Sequence, residues 1–328
     1  MTHVYLGTRD GLYRLTGAEV DDSEPVRVPG PSGPVGVDSH DGSLYCRGSD
    51  GVYRVETSGT SESSPTHVES IPVPTDEPTH LHVDGEGFVV GGRAPLAVHR
   101  SPDGERWETV ELPDLDPARR WIDGSAVVVS EAGGRVSDTL RTDDGLAVAV
   151  ERTGVFHLAD GAWESRHQGL AEDVHDLHRT PDGEWVAATG HGLYRTTDDG
   201  VSWRRLDTGQ LFQGYTYFHE FARLDGTLYT SGGRHMPGDW PGADAEALVF
   251  AIGDGRCPLR AAPTPDTTAY TWALSAEGGW LYAGTATADV DEPDRAEGVC
   301  YRRETGSSSW AELCRTPDPV VSVAVVTE

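Results

Sequence analysis

The sequence contains no lysine and no asparagine. Its 26 basic residues are therefore all arginine, set against 54 acidic residues for a formal net charge of −28 over 328 residues. With no positive field to neutralise phosphates, non-specific nucleic-acid binding is excluded as an expectation. No apolar segment approaches ~18 residues, so no spanning helix and no membrane insertion are expected. The four cysteines, Cys46, Cys257, Cys300 and Cys314, include no Cys-x-x-Cys pair, which argues against a zinc site of that kind. The start, MTHVYLGTRDG, shows no charged segment followed by an apolar run, so no secretory leader is read there. A cytoplasmic protein with free thiols is the expectation.

What is present is acid spread along the chain rather than held in blocks. Carboxylates stay hydrated at molar salt, and screening cancels their repulsion. The lysine-free surface resembles the salt-in adaptation of an extreme halophile. Glycine (40) and tryptophan (9) are plentiful, and apolar residues recur along nearly the whole chain, which argues against disorder.

The chain repeats itself. VYLGTRDGLYR (4–14), LYCRGSDGVYR (44–54) and WVAATGHGLYR (185–195) each carry a short apolar strand, a Gly-containing turn and Gly-[Leu/Val]-Tyr-Arg. Weaker copies begin at Phe88, Leu146, Leu228 and Leu281, for seven in all. Every copy after the first follows another alternating strand, such as THLHV or VHDLHR, and most precede a fourth, such as WETV or AWES. Four short strands per unit at a spacing of roughly 40–55 residues predict an all-β, single-domain β-propeller with seven four-stranded blades, to within one blade. The N-terminal copy lacks its preceding strand, and the chain ends in VVSVAVVTE. Residues 319–328 are expected to complete the N-terminal blade, so that 1–328 form one domain with no open edge. Residues 114–134 do not fit the repeat.

Thr196-x-Asp198-x-Gly200-x-Ser202-Trp203 fits [Ser/Thr]-x-Asp-x-Gly-x-[Ser/Thr]-Trp, and Ser101, Asp103, Gly104 and Trp107 make a shortened copy. Here the chain resembles the Asp-box, or BNR, repeat of sialidase-like and WD40/YVTN-like propellers. The resemblance implies the fold, with the Asp capping backbone N–H groups, the Gly supplying a positive φ and the Trp packing between blades. It implies no activity, because one fold hosts many functions. A motif that recurs with the architecture marks Asp198 and Asp199 as structural, not as a catalytic pair.

Three features could carry function. Arg9, Arg93 and Arg152 fall at matching places in loops between second and third strands, with His191, Arg234 and His235 in the corresponding loops of other copies. A ring of guanidinium groups on one face is a candidate anion site; the plain alternative is pairing with neighbours such as Asp10 and Asp50. His80, His175 and His219 lie early in their strands beside Asp138, Asp176 and Glu220. If they face the channel they could bind a divalent metal or serve as acid and base; the alternative is a channel of satisfied polar groups. The sixth copy adds LFQGYTYFHEF and the insertion GGRHMPGDWPGADAEA, with Tyr215, Tyr217, Asp239 and Trp240 suited to a sugar or a protein contact.

Together these predict a non-catalytic binding propeller, without an obligatory cofactor, that holds a protein partner or a small anionic ligand at the channel mouth. The alternative is an enzyme acting on an anionic substrate, either related to sialidases or a metal-assisted lactonase or lyase. Tyr217, His219, Glu220 and Asp176 are its candidate catalytic residues. The Phe/Tyr-Arg-Ile-Pro motif usual in sialidases is absent.

Overall fold

The computed structural model describes residues 2–16, 24–56, 67–113, 119–122, 125–128, 134–207, 214–234, 246–253, 259–286 and 296–327. Seven four-stranded antiparallel sheets follow one another along the chain. Blade one joins β1 (Thr2–Thr8), β2 (Gly11–Thr16) and β3 (Val26–Ser32) to the last strand of the chain, β30 (Val320–Thr327). Blade two is β4 (Gly36–His40), β5 (Ser43–Gly48), β6 (Gly51–Val55) and β7 (Val68–Ile71). Blade three is β8 (Pro78–Asp84), β9 (Gly87–Arg93), β10 (Leu96–Ser101) and β11 (Glu108–Glu111). A separate hairpin of β12 (Arg119–Ile122) and β13 (Ser125–Val128) follows, which is why this stretch breaks the repeat.

Blade four is β14 (Val136–Arg141), β15 (Gly145–Val150), β16 (Gly154–Ala159) and β17 (Ala162–Ser165). Blade five is β18 (Val174–Arg179), β19 (Trp185–Thr189), β20 (Gly192–Thr196) and β21 (Arg204–Arg205). Blade six is β22 (Tyr217–Leu224), β23 (Thr227–Gly233), β24 (Ala247–Ile252) and β25 (Leu259–Ala262). Blade seven is β26 (Tyr270–Glu277), β27 (Trp280–Ala286), β28 (Gly298–Glu304) and β29 (Ala311–Thr316). The expected closure is present: β30 pairs antiparallel with β1, from Thr2↔Thr327 to Thr8↔Val320.

The core lies between blades. Second strands are covered on both faces, and β15 (GLAVAV) is accordingly buried from Leu146 to Val150. One cluster joins Ala147, Ala149 and Val155 of blade four to Trp185, Tyr194 and Trp203 at blade five. Another joins Tyr282, Cys300 and Cys314 of blade seven to Val320 and Val323 of β30. The recurring glycine of the second strand has a packing reason. A Cβ at Gly91 would sit 2.4 Å from Val136 Cβ, and one at Gly284 would sit 2.4 Å from Val320 Cγ1. Only glycine lets the next blade's inner strand approach that closely.

The acidic turn between third and fourth strands is built from its own side chains. Asp198 Oδ1 accepts the Thr196 hydroxyl at 2.6 Å and the Ser202 N–H at 2.9 Å, and Oδ2 accepts the Ser202 hydroxyl at 2.6 Å. These bonds hold the Asp198 carboxyl down at about 2. Asp199 and Gly200 take the left-handed conformation, with φ of 54° and 82°. The Ser101–Trp107 turn repeats the arrangement: Gly104 N–H donates to Ser101 Oγ at 2.8 Å, and Glu105 and Arg106 N–H donate to Asp103 Oδ1 at 3.0 Å.

The tryptophans staple neighbouring blades. Trp203 Nε1 donates to Arg166 O at 2.8 Å, Trp163 Nε1 to Glu111 O at 2.9 Å and Trp310 Nε1 to Pro263 O at 2.9 Å. Each accepting carbonyl belongs to, or directly follows, the outer strand of the preceding blade. Trp107 instead bonds inside its own turn, to Gly104 O at 3.2 Å.

Candidate functional site at the channel mouth

A cavity of about 600 Å³ lies where the seven innermost strands converge, and every one of them contributes to its wall. An innermost strand is a sheet edge, so part of its backbone N–H groups has no ladder partner. The chain satisfies them from the preceding blade. Asp38 accepts Val83 N–H at 2.7 Å, Asp138 accepts Leu177 N–H at 2.7 Å, Asp176 accepts Phe221 N–H at 2.6 Å and Glu220 accepts Leu274 N–H at 2.8 Å. Ser322 Oγ does the same for Val37 at 3.1 Å, closing the junction from blade one to blade two. His80 reaches across to Thr139 Oγ1 at 3.0 Å. The channel acids thus brace successive blades.

Packing acids this closely has an electrostatic cost. Asp138 and Asp176 act on one another, and burial raises both carboxyls above their ordinary range. Burial, then the Asp138 charge and bond, and then Glu220, push Asp176 well above the usual carboxylate range. Burial, with Asp138 adding, raises Glu220 to about 8. The histidines move the other way. Burial and then His82 and Arg47 pull His80 down to about 3, and burial and then His175 and Arg135 pull His219 down to about 3. Below the mouth, the channel is rich in hydrogen-bonding groups and poor in cations.

The mouth carries the guanidinium groups. Arg9, Arg47 and Arg135 all line the cavity. Arg9 lies over the Trp272 ring at 6.0 Å, and Asp10 is met by Arg27 at 3.9 Å instead. Arg47 donates to Pro34 O at 3.1 Å. Among the described residues neither Arg9 nor Arg47 forms an ion pair. Burial, and then the nearby Arg135, lower Arg47 to about 10. Arg135 pairs with Glu151.

The candidates read from the repeat divide accordingly. Arg9 lines the cavity, whereas Arg93 is exposed and does not. Arg152 and His191 do not line the cavity either; Arg152, its φ of 64° in the left-handed region, acts with His175 and His191 on the Asp173 carboxylate. Arg234 is committed to Glu246 at 3.5 Å and to the Tyr215 ring at 5.2 Å. His235, Asp239 and Trp240 lie outside the described residues.

Arg47 and Arg135 are not among the residues singled out from the sequence. Arg47 is the penultimate residue of β5, inside a copy of the repeat, LYCRGSDG. Arg135 directly precedes β14, beside the stretch that breaks the repeat. The signal available was their place, at the same face as Arg9.

His175 and His219 lie ring to ring, with centroids 5.1 Å apart, while His80 is bound to Thr139 on another side of the channel. Among the described residues no group of three or more His, Cys, Asp or Glu side chains is arranged to hold a metal ion. Tyr217 is buried against Tyr270, with centroids 5.6 Å apart, and burial suppresses its ionisation, while Glu220 is engaged with Leu274. Tyr215 packs on Phe250 and donates to Glu246 at 2.6 Å.

No protein-family model matches the chain. The photosystem II assembly lipoprotein Ycf48 of Prochlorococcus marinus is 31% identical over 112 residues, 32% of this chain and 33% of that protein. The chain thus matches about a third of that relative's length. Among solved structures, YCF48 bound to D1 peptide superposes with a TM-score of 0.52 at 12% identity, over 88% of this chain and 84% of that one. The periplasmic gluconolactonase PpgL of Pseudomonas aeruginosa superposes with a TM-score of 0.60 at 15% identity, over 99% of each. These likenesses show the fold, which is shared by a peptide-binding protein and an enzyme. They also correct the cytoplasmic expectation: the similar proteins are by name a lipoprotein and a periplasmic enzyme. The free thiols of Cys46, Cys300 and Cys314 do not fix a compartment. Among the described residues no helix is long and apolar enough to cross a membrane.

Proposed function

We propose that this chain is a binding propeller, one domain over residues 1–328, that holds an anionic group of a small ligand or a protein partner at the channel mouth. Arg9, Arg47 and Arg135 are the contacts. The observation that supports it is the facing of Arg9 and Arg47 into the cavity without an ion-pair partner among the described residues, in a chain of net charge −28. Where acid is so abundant, a guanidinium without a carboxylate is available to an external anion. The channel acids have a role already as braces, so their presence does not require catalysis.

The same reading assigns the Thr196–Trp203 and Ser101–Trp107 turns to the Asp-box type and the lysine-free surface to a high-salt setting. The test is calorimetric titration with sulfate, citrate and acidic peptides of wild type and of Arg9→Ala, Arg47→Ala and Arg135→Ala. Binding that each substitution weakens at least fivefold supports the reading. Equal affinity in all four proteins removes it.

A hydrolytic reading has one observation in its favour, the pair of carboxyls, Asp138 and Asp176, that line the cavity and are both raised by burial. Turnover of a lactone or an aryl glycoside by wild type, lost in Asp176→Asn, would establish it.

A further inference from the structure

We propose that the channel takes up a proton together with its anion, so that the half-buried Asp138–Asp176–Glu220 chain sets the affinity of the arginine mouth. The inference rests on the anion-binding reading above. Its geometry is independent of that reading. The three acids sit on β14, β18 and β22, on three successive blades, and all line the same cavity as Arg9, Arg47 and Arg135. Each has one oxygen fixed by a backbone N–H of the following blade, at 2.7, 2.6 and 2.8 Å.

Of the groups facing them, His82 offsets the charge: against the effect of burial, Asp38, Asp138 and Asp84 raise its pKa, and its charge in turn lowers that of Asp138. Asp138 meets His80 of β8 at 3.6 Å, and Asp176 of β18 and His82 of β8 act on its carboxyl. Asp176 meets Asp138 on one side and Glu220 on the other. Glu220 feels Asp138, and on its β26 side meets the Leu274 N–H. His80 and His219 are held neutral by burial and by their charged neighbours. The mouth arginines line the same cavity as the acids and as His82.

An anion and an ionised channel acid therefore compete for one set of positive charges. While the acids hold their protons, the arginine field is open to the ligand. As they lose them, the channel becomes its own counter-anion. A unit charge about 8 Å from the bound anion, at an effective dielectric near 20, weakens binding roughly tenfold or more. By linkage, anion binding must draw protons in.

Sulfate is the probe, because it keeps one ionic form across the range. The full chain is titrated from about pH 5.5 to about pH 9 at fixed ionic strength, in buffers of differing ionisation heat. The expected result is an affinity that falls at least tenfold toward high pH, with net proton uptake on binding. Glu220→Gln and Asp176→Asn, which keep an oxygen for the N–H, should flatten the slope. Sulfate binding that is flat with pH and takes up no proton overturns the linkage and leaves the anion site standing. No sulfate binding at any pH overturns both. If either variant fails to fold, His82→Gln decides: a pH slope and proton uptake kept in that variant support the acids, and their loss overturns the assignment to the acids.

Discussion

The Asp176 carboxylate accepts the backbone N–H of Phe221, one blade further round the ring, at 2.6 Å. A side chain that looks poised for chemistry thus fastens two sheets. Replacing it by Ala leaves a buried donor without an acceptor, at a cost of about 1–3 kcal/mol. Asp176→Asn keeps an acceptor in place of a carboxyl whose ionisation burial already opposes, so it should cost less than about 1 kcal/mol. Urea midpoints at constant m-value separate the two. Equal losses would show that the brace is not what the residue supplies.

Glu220 gives a pH dependence. Burial raises its carboxyl from 4.5 to about 8 in the folded chain. Between those values the folded state keeps a proton that the unfolded state has released. The stability it contributes is complete below about pH 4.5 and is lost as pH rises through about 8. The loss should be on the order of 2–4 kcal/mol, and Glu220→Gln should abolish that part of the profile. Chemical denaturation at a series of pH values measures it; parallel profiles for the two proteins would contradict it.

The blade staples and the acidic turns should affect stability and leave binding alone. Trp203→Phe deletes the bond to Arg166 O and keeps most of the packing, for about 1 kcal/mol. Asp198→Ala frees the donors that its carboxylate caps, also about 1 kcal/mol. Sulfate affinity should stay within twofold of wild type for both. A larger drop would place the turn in the binding site.

Salt should stabilise the fold. With a net charge of −28, repulsion is long-ranged in dilute buffer and confined to a few ångströms at molar salt. Melting temperature should climb by ten degrees or more between about 0.1 M and about 2 M KCl. A flat response would mean that the acids are offset locally, by pairs such as Arg141–Asp84 and Arg315–Glu312.

The architecture was legible because its signals are local and repeated. Gly91 and Gly284 recur since the next blade leaves no room for a Cβ, and Trp163, Trp203 and Trp310 recur since each meets a backbone carbonyl of the blade before. The site was less legible because it occurs once. Arg9 could be picked from its loop, but Arg93 sits in the matching loop and points elsewhere. The partners of Arg9 across the cavity, Arg47 and Arg135, come from a strand end and a strand entry. Nothing in linear spacing distinguishes an arginine that faces the channel from one that faces solvent. Nor does sequence show that Asp176 and Glu220 reach a backbone amide of another blade rather than a substrate.

The pairing of Thr2 with Thr327 has a consequence for synthesis. Blade one is the first to leave the ribosome and the last to be finished. Until β30 is translated, β1 offers a bare flank of Val4, Tyr5 and Leu6 to any strand nearby. A stall late in the message would release a nearly complete chain in its most adhesive state.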